Sequence, residues 1–147
     1  MHSRNRTVIG ITVHGSRRVI EETLTRCKQQ GIAMDTVLMS FNVADQFAGG
    51  HGKKVLENHP DIGKIAMKVL ASDGAPIVHQ EGITAKAALR YALSHSFATA
   101  IIATHSLEEL EENVETVRDF QPYSEEELRE IEKRIQGKSG QLWALRT

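Results

Sequence analysis

Short apolar runs alternate with amphipathic segments along this chain of 147 residues. Four of the runs are rich in Val, Ile and Met and are bounded by turn residues, which is typical of buried strands. These runs cover residues 7–13, 35–41, 64–71 and 99–103. Short buried strands that alternate with helices predict a parallel sheet built from βαβ units.

The segments between and after these runs have helical spacing. The predicted helices cover residues 16–30, 53–58, 84–95, 106–117 and 124–137. The predicted buried face of the first helix is Ile20, Leu24 and Cys27; that of the third is Ala85, Ala88, Leu89, Ala92 and Leu93. Two helices begin with Ser-x-x-Glu, a capping box in which hydroxyl and carboxylate each accept an otherwise unpaired backbone N–H. These pairs are Ser106 with Glu109 and Ser124 with Glu127.

Composition narrows the function classes. The net charge of −1 gives no electrostatic reason to expect binding to nucleic acid or to a membrane surface. The single cysteine, Cys27, excludes an internal disulfide, and we expect it to be buried in the core. No apolar run approaches the roughly 18 residues of a membrane span, and the N-terminus lacks the apolar core of a signal peptide. We therefore expect a cytoplasmic, single-domain protein covering residues 1–147, with 138–147 as a flexible or docking tail.

A series of motifs is more specific than this alternation. The segment 82–136 contains ALRYAL (88–93), THS (104–106), LEELEEN (107–113) and SEEEL (124–128). Upstream lie IGITVH (9–14), the run 35–42 and AMKVL (66–70). In this order the motifs resemble the C-terminal half of the aldo/keto reductases, from the fifth strand to the closing helix. The resemblance covers nearly the whole chain.

The resemblance implies a half-barrel fold that lacks the family's catalytic residues. Aldo/keto reductases are TIM (β/α)8 barrels, so the expected fold class is α/β, half of such a barrel. About four parallel strands would alternate with helices, plus a C-terminal helix. The family's catalytic Asp, Tyr, Lys and His belong to the other half, and no catalytic residue is assigned here. Tyr91 and Tyr123 do not replace them, because neither is predicted at a strand C-terminus, where barrel chemistry occurs.

In this family the C-terminal half binds the nicotinamide dinucleotide, so NADP or NAD is the implied cofactor. The resemblance places the carboxamide near Thr12 and His14 and the pyrophosphate at the loop 68–74, with Lys68. Helix N-termini are ready anion sites. The residues implied for the adenosine end are Thr104, His105, Ser106, Glu112 and Asn113.

Several positions depart from the family pattern. Ala103 stands where glycine is usual, and Val69 stands where proline is usual. Acidic residues crowd the start of the adenosine-side helix at Glu108, Glu109 and Glu111. They suit a helix N-terminus but repel a 2′-phosphate. We therefore expect weak or absent dinucleotide binding, with no preference for NADP.

Each candidate residue also has an ordinary structural interpretation. Ser106 is explained by capping, Lys68 by a solvated strand end and His14 by a turn, while Glu112 and Asn113 fit a solvated helix face. Histidine spacing does not indicate a metal site. Two function hypotheses remain. The first is a cofactor-side reductase fragment that is inactive alone; the alternative is a non-enzymatic, self-associating half-barrel of unknown ligand.

Assembly follows from the same pattern. A parallel sheet with helices on one side leaves its other face and both edges open, although parallel sheets normally have both faces covered. The apolar strand residues predicted for the open face are Ile9, Ile11, Val37, Met39, Ile65 and Ile101. We therefore expect a homodimer or a complementary N-terminal half-barrel as partner, with the tail 138–147 as another possible cover.

Overall fold

The computed structural model describes residues 8–13, 17–45, 51–71 and 82–136. Its four strands form one parallel sheet in the order β1-β2-β3-β4. The strands are β1 (Gly10–Val13), β2 (Thr36–Ser40), β3 (Gly63–Met67) and β4 (Thr99–Ala100). The helices are α1 (Arg17–Gln29), α2 (His51–Asn58), α3 (Ala85–Leu93), α4 (Leu107–Arg118) and α5 (Glu125–Gln136). The predicted alternation of parallel strands and helices, with an additional C-terminal helix, is confirmed.

The two faces of the sheet differ in cover. Val37 and Met39 of β2 and Ala66 of β3 are completely buried and belong to the hydrophobic core. In the parallel register Val37 pairs with Ile11 and Lys64, whereas Leu38 pairs with Thr12 and Ile65. Successive side chains point to opposite faces, so these two rows lie on opposite sides of the sheet.

The prediction of which residues lie on the open face was therefore partly wrong. Ile11, Val37 and Met39 lie on the helix-covered face, and Val37 and Met39 are fully buried. Ile65 is on the opposite face and only half-buried, while Ile101 is 52% exposed. The prediction failed because it combined strand residues whose side chains point to opposite faces of the sheet. The register between neighbouring strands decides which residues share a face.

One hydrophobic cluster lies between the sheet and the helices. Ile20 and Leu24 bury the predicted face of α1, but Cys27 is only half-buried. In α3 the predicted residues Ala88, Leu89 and Ala92 are buried. Two other predicted residues of α3, Ala85 and Leu93, are partly buried, whereas Tyr91 was not predicted and is completely buried.

All four strands are shorter than predicted, and β3 and β4 end several residues early. β3 ends at Met67 because Lys68 has a φ of 56°, a left-handed conformation that cannot continue a strand. Ala71, with a φ of 62°, closes a turn by donating its N–H to the Lys68 carbonyl at 2.9 Å. β4 spans two residues instead of 99–103, and within the described residues it pairs only with β3.

The capping patterns are present at both helix starts. At α5, the Glu127 N–H donates to the Ser124 hydroxyl at 3.2 Å and the Glu127 carboxylate accepts from the Ser124 N–H at 2.7 Å. At α4, the Glu109 N–H donates to Ser106 at 3.2 Å, but the Glu109 carboxylate accepts from the His105 N–H at 2.7 Å. In the capping box of α4 the carboxylate therefore accepts from the residue before the N-cap instead of from the N-cap residue itself.

Candidate functional site

The carboxyl ends of parallel strands share one edge of the sheet, and five of the candidate residues lie at or just after such an end. Thr12 is the next-to-last residue of β1, Lys68 follows β3, and Thr104, His105 and Ser106 lie in the loop from β4 to α4. Thr12 is exposed and shares the open face with Leu38. This is the edge at which barrel enzymes place their sites. His14 and the segment 72–81 lie outside the described residues.

A side chain that the sequence did not single out joins two of these strand ends. Asn42, 2% exposed, donates from Nδ2 to the carbonyl of Lys68 at 3.1 Å. Its Oδ1 accepts from the Ala44 N–H at 3.1 Å. The Phe41 N–H also donates to the Met67 carbonyl at 3.0 Å, so backbone pairing with β3 continues one residue past the end of β2. The position of Asn42 just after a predicted strand was the available signal.

Lys68 is held in an unusual backbone conformation. A left-handed φ at a non-glycine residue costs on the order of 1 kcal/mol and persists only where surrounding contacts fix it. Here the two donors on its carbonyl, from Asn42 and Ala71, provide those contacts. Among the described residues no hydrogen bond or salt bridge holds the Lys68 ammonium. The cation therefore stands at the strand-end edge without a partner from the described part of the chain.

The N-terminus of α4 is occupied by the chain's own acidic groups. His105 donates its N–H to Glu109, and its Nδ1 lies 3.5 Å from the same carboxylate oxygen. Hydrogen bonds from its own backbone N–H and from the Ser106 hydroxyl lower the pKa of the exposed Glu108 carboxyl. Carboxylates are favourable at a helix N-terminus. They also take up donors that an external anion would use.

The remaining candidates lie further along α4. Thr104 is exposed in the loop before the helix. Glu112 is exposed and its carbonyl accepts from the Thr116 hydroxyl at 2.7 Å, while Asn113 is half-buried. No hydrogen bond between described residues joins this group to Thr12 or Lys68. The structure brings Thr12, Lys68 and the loop before α4 to one edge of the sheet.

A second polar cluster lies between the helices. The Tyr91 hydroxyl donates to Oε1 of Glu132 at 2.6 Å, and the Lys53 ammonium lies 2.6 Å from the same oxygen. The Lys53 N–H donates to Oδ2 of the buried Asp45 at 3.3 Å. A Cβ at Gly52 would come within 2.6 Å of the Asp45 carboxylate, so this approach requires glycine. The cluster connects α2, α3, α5 and the segment after β2.

Glu132 was not among the residues predicted to be buried. Its relative exposure is 5%, and it lies one turn after Leu128 on the buried face of α5. That position within an apolar stripe was the signal that could have revealed it. A buried carboxylate requires hydrogen-bonded or charged partners, and Tyr91 and Lys53 provide them.

The protonation states in this cluster favour a structural role. Burial, together with the hydrogen bond to Glu132, raises the pKa of Tyr91 well above its usual range. Burial, and to a lesser degree the positive charge of Lys53, lowers the pKa of His95 to about 4. The phenol and the imidazole are therefore both neutral at pH 7. Tyr91 is also completely buried within α3, where its ring packs against Phe41.

An open cleft of about 410 Å³ lies elsewhere, between α3 and α5. Its lining includes Ile83, Ala87, Tyr123, Glu127 and Ile131, and none of the candidate residues. The described residues contain no group of three His, Cys, Asp or Glu side chains that could hold a metal ion. In the part of the chain that the structure describes, no helix is long and apolar enough to cross a membrane.

The fold has a counterpart among solved structures. The chain superimposes on the aldo-keto reductase AKR11C1 from Bacillus halodurans, in its holo form, with a TM-score of 0.59 and 20% sequence identity. The match covers 86% of this chain and 49% of the reductase, so the chain spans about half the length of the structure it matches. No protein-family model matches the sequence, and no curated protein matches it.

The match confirms the fold expected from the motif order. Four parallel strands alternating with helices are half of the reductase's barrel, and the resemblance in sequence and the likeness in structure indicate the same fold by separate routes. This chain therefore has the fold of half an aldo-keto reductase barrel.

Proposed function

We propose that this chain is the cofactor-side half of an aldo-keto-reductase-type barrel and does not reduce carbonyl compounds on its own. The observation that carries the proposal is the strand-end edge, where Asn42 holds the carbonyl of Lys68 and leaves its ammonium at the end of β3. A nicotinamide dinucleotide bound there would supply the hydride, while the protein supplies binding and orientation.

The side chains at this edge suit some parts of the dinucleotide better than others. The Lys68 cation suits the pyrophosphate. Carboxylates such as Glu108 and Glu109 accept hydrogen bonds from ribose hydroxyls, the use that dinucleotide-binding folds make of an acidic residue. The same carboxylates repel a 2′-phosphate. The proposal therefore favours NADH over NADPH and expects weak binding of both.

The proposed inactivity rests on the acid that carbonyl reduction needs. A general acid must lie within hydrogen-bond reach of the developing alkoxide. Tyr91 is buried against Glu132, and the Tyr123 ring lies under the Arg90 guanidinium at 3.8 Å. Tyr91 is completely buried, and Tyr123 precedes α5 instead of following a strand. The catalytic set implied by the family belongs to the other half of the barrel.

A specific observation favours the alternative, a half-barrel that binds no dinucleotide. The donors at the start of α4 already interact with Glu108 and Glu109, so an incoming anion must displace carboxylates of the chain itself. Under this alternative the strand-end edge is only a remnant of a cofactor site, and self-association is the property that matters.

Calorimetric titration of the chain with NADH and with NADPH tests the proposal. We expect weak NADH binding, equal or weaker NADPH binding, and roughly tenfold weaker binding by Lys68→Met, because the variant loses one charge facing the pyrophosphate. The matched control is Lys54→Met, an exposed lysine of α2. Low-micromolar NADPH binding that is much tighter than NADH binding would contradict the proposal. No heat with either nucleotide would support the alternative.

A further inference from the structure

The exposed large apolar side chains of the described residues lie at the two ends of the sheet. One group surrounds β1 and α1: Val8, Ile9, Val19 and Ile32, with relative exposures of 44–64%. We call this group the β1–α1 edge. The other group follows β4: Ile101, Leu107, Leu110, Val114 and Val117, with exposures of 47–63%. We call it the β4–α4 edge. Among the described residues the central elements expose no such side chain.

The apolar residues of α4 form a continuous stripe. Leu107, Leu110, Val114 and Val117 are spaced i, i+3, i+7 and i+10, which places them on one side of the helix. Thr116, the only described α4 residue that is buried, lies on a different side. Within the described residues the main packing partner of α4 is α3. An apolar stripe of this length on an otherwise acidic helix indicates that a neighbouring element is missing from its outer side.

The outer flank of α1 is the counterpart. Glu21 accepts a hydrogen bond from Asn58 of α2 at 3.0 Å, so that flank of α1 faces α2. At 100° per residue, Val19 and Arg26 lie on the opposite flank, away from the rest of the fold. Val19 is 44% exposed, and Arg26 is exposed as well. The two ends of the sheet thus both present an incompletely covered helix.

The strands at these ends are also incompletely paired. Within the described residues β1 pairs only with β2, and β4 only with β3. Each therefore has one edge on which N–H and C=O groups lack a neighbouring strand, a template for pairing with another chain. All four strands run in the same direction. A β4 edge can accordingly extend a parallel sheet by pairing with a β1 edge.

The two edges carry opposite charge. The α4 sequence has five glutamates and one arginine, whereas the α1 sequence has four basic residues and two acidic ones. Glu111 lies one turn after Leu107 and borders the apolar stripe, and Arg26 lies beside the Val19 flank. Complementary charge of this kind favours pairing of unlike edges and disfavours pairing of like edges.

We propose that the two edges form one interface and that its occupant is a second copy of this chain. The β4–α4 edge of one copy packs on the β1–α1 edge of the other, and a two-fold axis repeats the contact on the opposite side. Both apolar groups and both strand edges are then covered, and the two sheets join into eight parallel strands. The inference does not depend on dinucleotide binding, because none of these residues is a candidate cofactor ligand.

Sedimentation equilibrium of the 147-residue chain and of edge variants tests the proposal. We expect the wild-type chain to be a dimer. The double variant Leu110→Lys/Val114→Lys should raise the dimer dissociation constant roughly a hundredfold or more. Both side chains are exposed in one copy, so circular dichroism should show an unchanged fold. The matched control is Arg129→Glu, an exposed residue of α5 outside both edges, which should leave the dimer intact.

A charge exchange identifies which edges meet. Glu111→Arg and Arg26→Glu should each weaken the homodimer, since each places like charges in both contacts. An equimolar mixture should restore dimerisation, because the mixed dimer has one reversed contact and one native contact. A strict monomer at high micromolar concentration overturns the proposal, as does a dimer unaffected by the edge variants. A chain that pairs only with a separate four-unit half-barrel overturns the second copy as occupant.

Discussion

The hydroxyl of Tyr91 lies 2.6 Å from Oε1 of Glu132, across 41 residues of sequence, and joins α3 to α5 inside the fold. The Lys53 ammonium reaches the same oxygen at 2.6 Å from α2. Three helices therefore meet at one carboxylate that is only 5% exposed. Removal of either partner leaves a buried charge with fewer interactions, so the stability of the helical layer depends on this contact.

Replacement of Tyr91 by phenylalanine should lower the free energy of unfolding by about 1.5–3 kcal/mol, the range for a hydrogen bond to a charged group. The ring remains, so its packing against Phe41 and His95, with centroids 6.0 and 4.8 Å away, is kept. Urea unfolding measures the change. The control is Tyr123→Phe, which removes a hydroxyl without a described partner and should change stability by less than about 0.5 kcal/mol. Equal effects of the two substitutions would contradict this interpretation.

Lys53→Met should destabilise the fold by about 2–3 kcal/mol, less than the roughly 3–5 kcal/mol of a fully buried ion pair because the Lys53 side chain is 32% exposed. Lys54→Met, an exposed neighbour, is the control and should have little effect. The double variant Lys53→Met/Glu132→Gln should recover part of the loss, because the neutral amide needs no cation and still accepts from Tyr91. A double variant less stable than Lys53→Met alone would be the contrary result.

His95 should make stability depend on pH. Its pKa is about 4 in the folded state, against an ordinary value of 6.5, so the unfolded state binds more protons between these values. Stability is fully present above about pH 6.5 and is lost as the pH falls toward 4, by about 2–3 kcal/mol. His59, whose pKa burial also lowers, acts in the same direction.

Unfolding free energies measured from pH 7 to pH 4.5 test this dependence. His95→Gln should flatten the profile, whereas His105→Gln should leave it unchanged because the His105 side chain is 85% exposed. The carboxylates contribute equally to the pH dependence of wild type and variants, so the difference between their slopes reports the histidine that was replaced. Parallel profiles for wild type and His95→Gln would exclude His95 as a source of the acid sensitivity.

The acidic start of α4 should control nucleotide preference. Glu108→Gln/Glu109→Gln removes two negative charges near the helix N-terminus, and we expect NADPH affinity to rise about tenfold relative to NADH. Glutamine at position 109 can still complete the capping contact. The matched control is Glu125→Gln/Glu126→Gln in the first turn of α5. Calorimetry gives both affinities, and an unchanged NADPH-to-NADH ratio would place the adenosine end elsewhere.

The chain alone should show no carbonyl reduction. An assay of NADPH and NADH oxidation with a panel of aldehydes should give only the uncatalysed rate, because the described residues place no general acid at the strand-end edge. Turnover in the usual enzymatic range of roughly 1–10³ per second would show that this chain carries a catalytic set of its own.

Much of the fold could be predicted from local sequence. Ile20 and Leu24 lie on one helical face whatever the surroundings, and Ser124 with Glu127 forms its capping box within a single turn. The alternation of short apolar runs and helices likewise predicted a parallel sheet, because such alternation forms βαβ units. Of the candidate site, the sequence predicted only that Thr12 and Lys68 lie at the same edge of the sheet, because this follows from the parallel topology.

Other features depend on contacts between distant residues. The burial of Glu132 requires Lys53, 79 residues away in sequence, and the left-handed turn at Lys68 is held by Asn42, 26 residues away. The register of β2 against β3 assigns Val37 to the covered face and Ile65 to the other.

The sequence by itself therefore determined the elements, their order and their parallel arrangement, because these follow from periodicity and capping within a few residues. Only the tertiary structure decided which strand face is covered, where Glu132 and Asn42 find partners, and which side of α4 is left exposed. These outcomes depend on how separate elements pack together, and no local pattern encodes that packing.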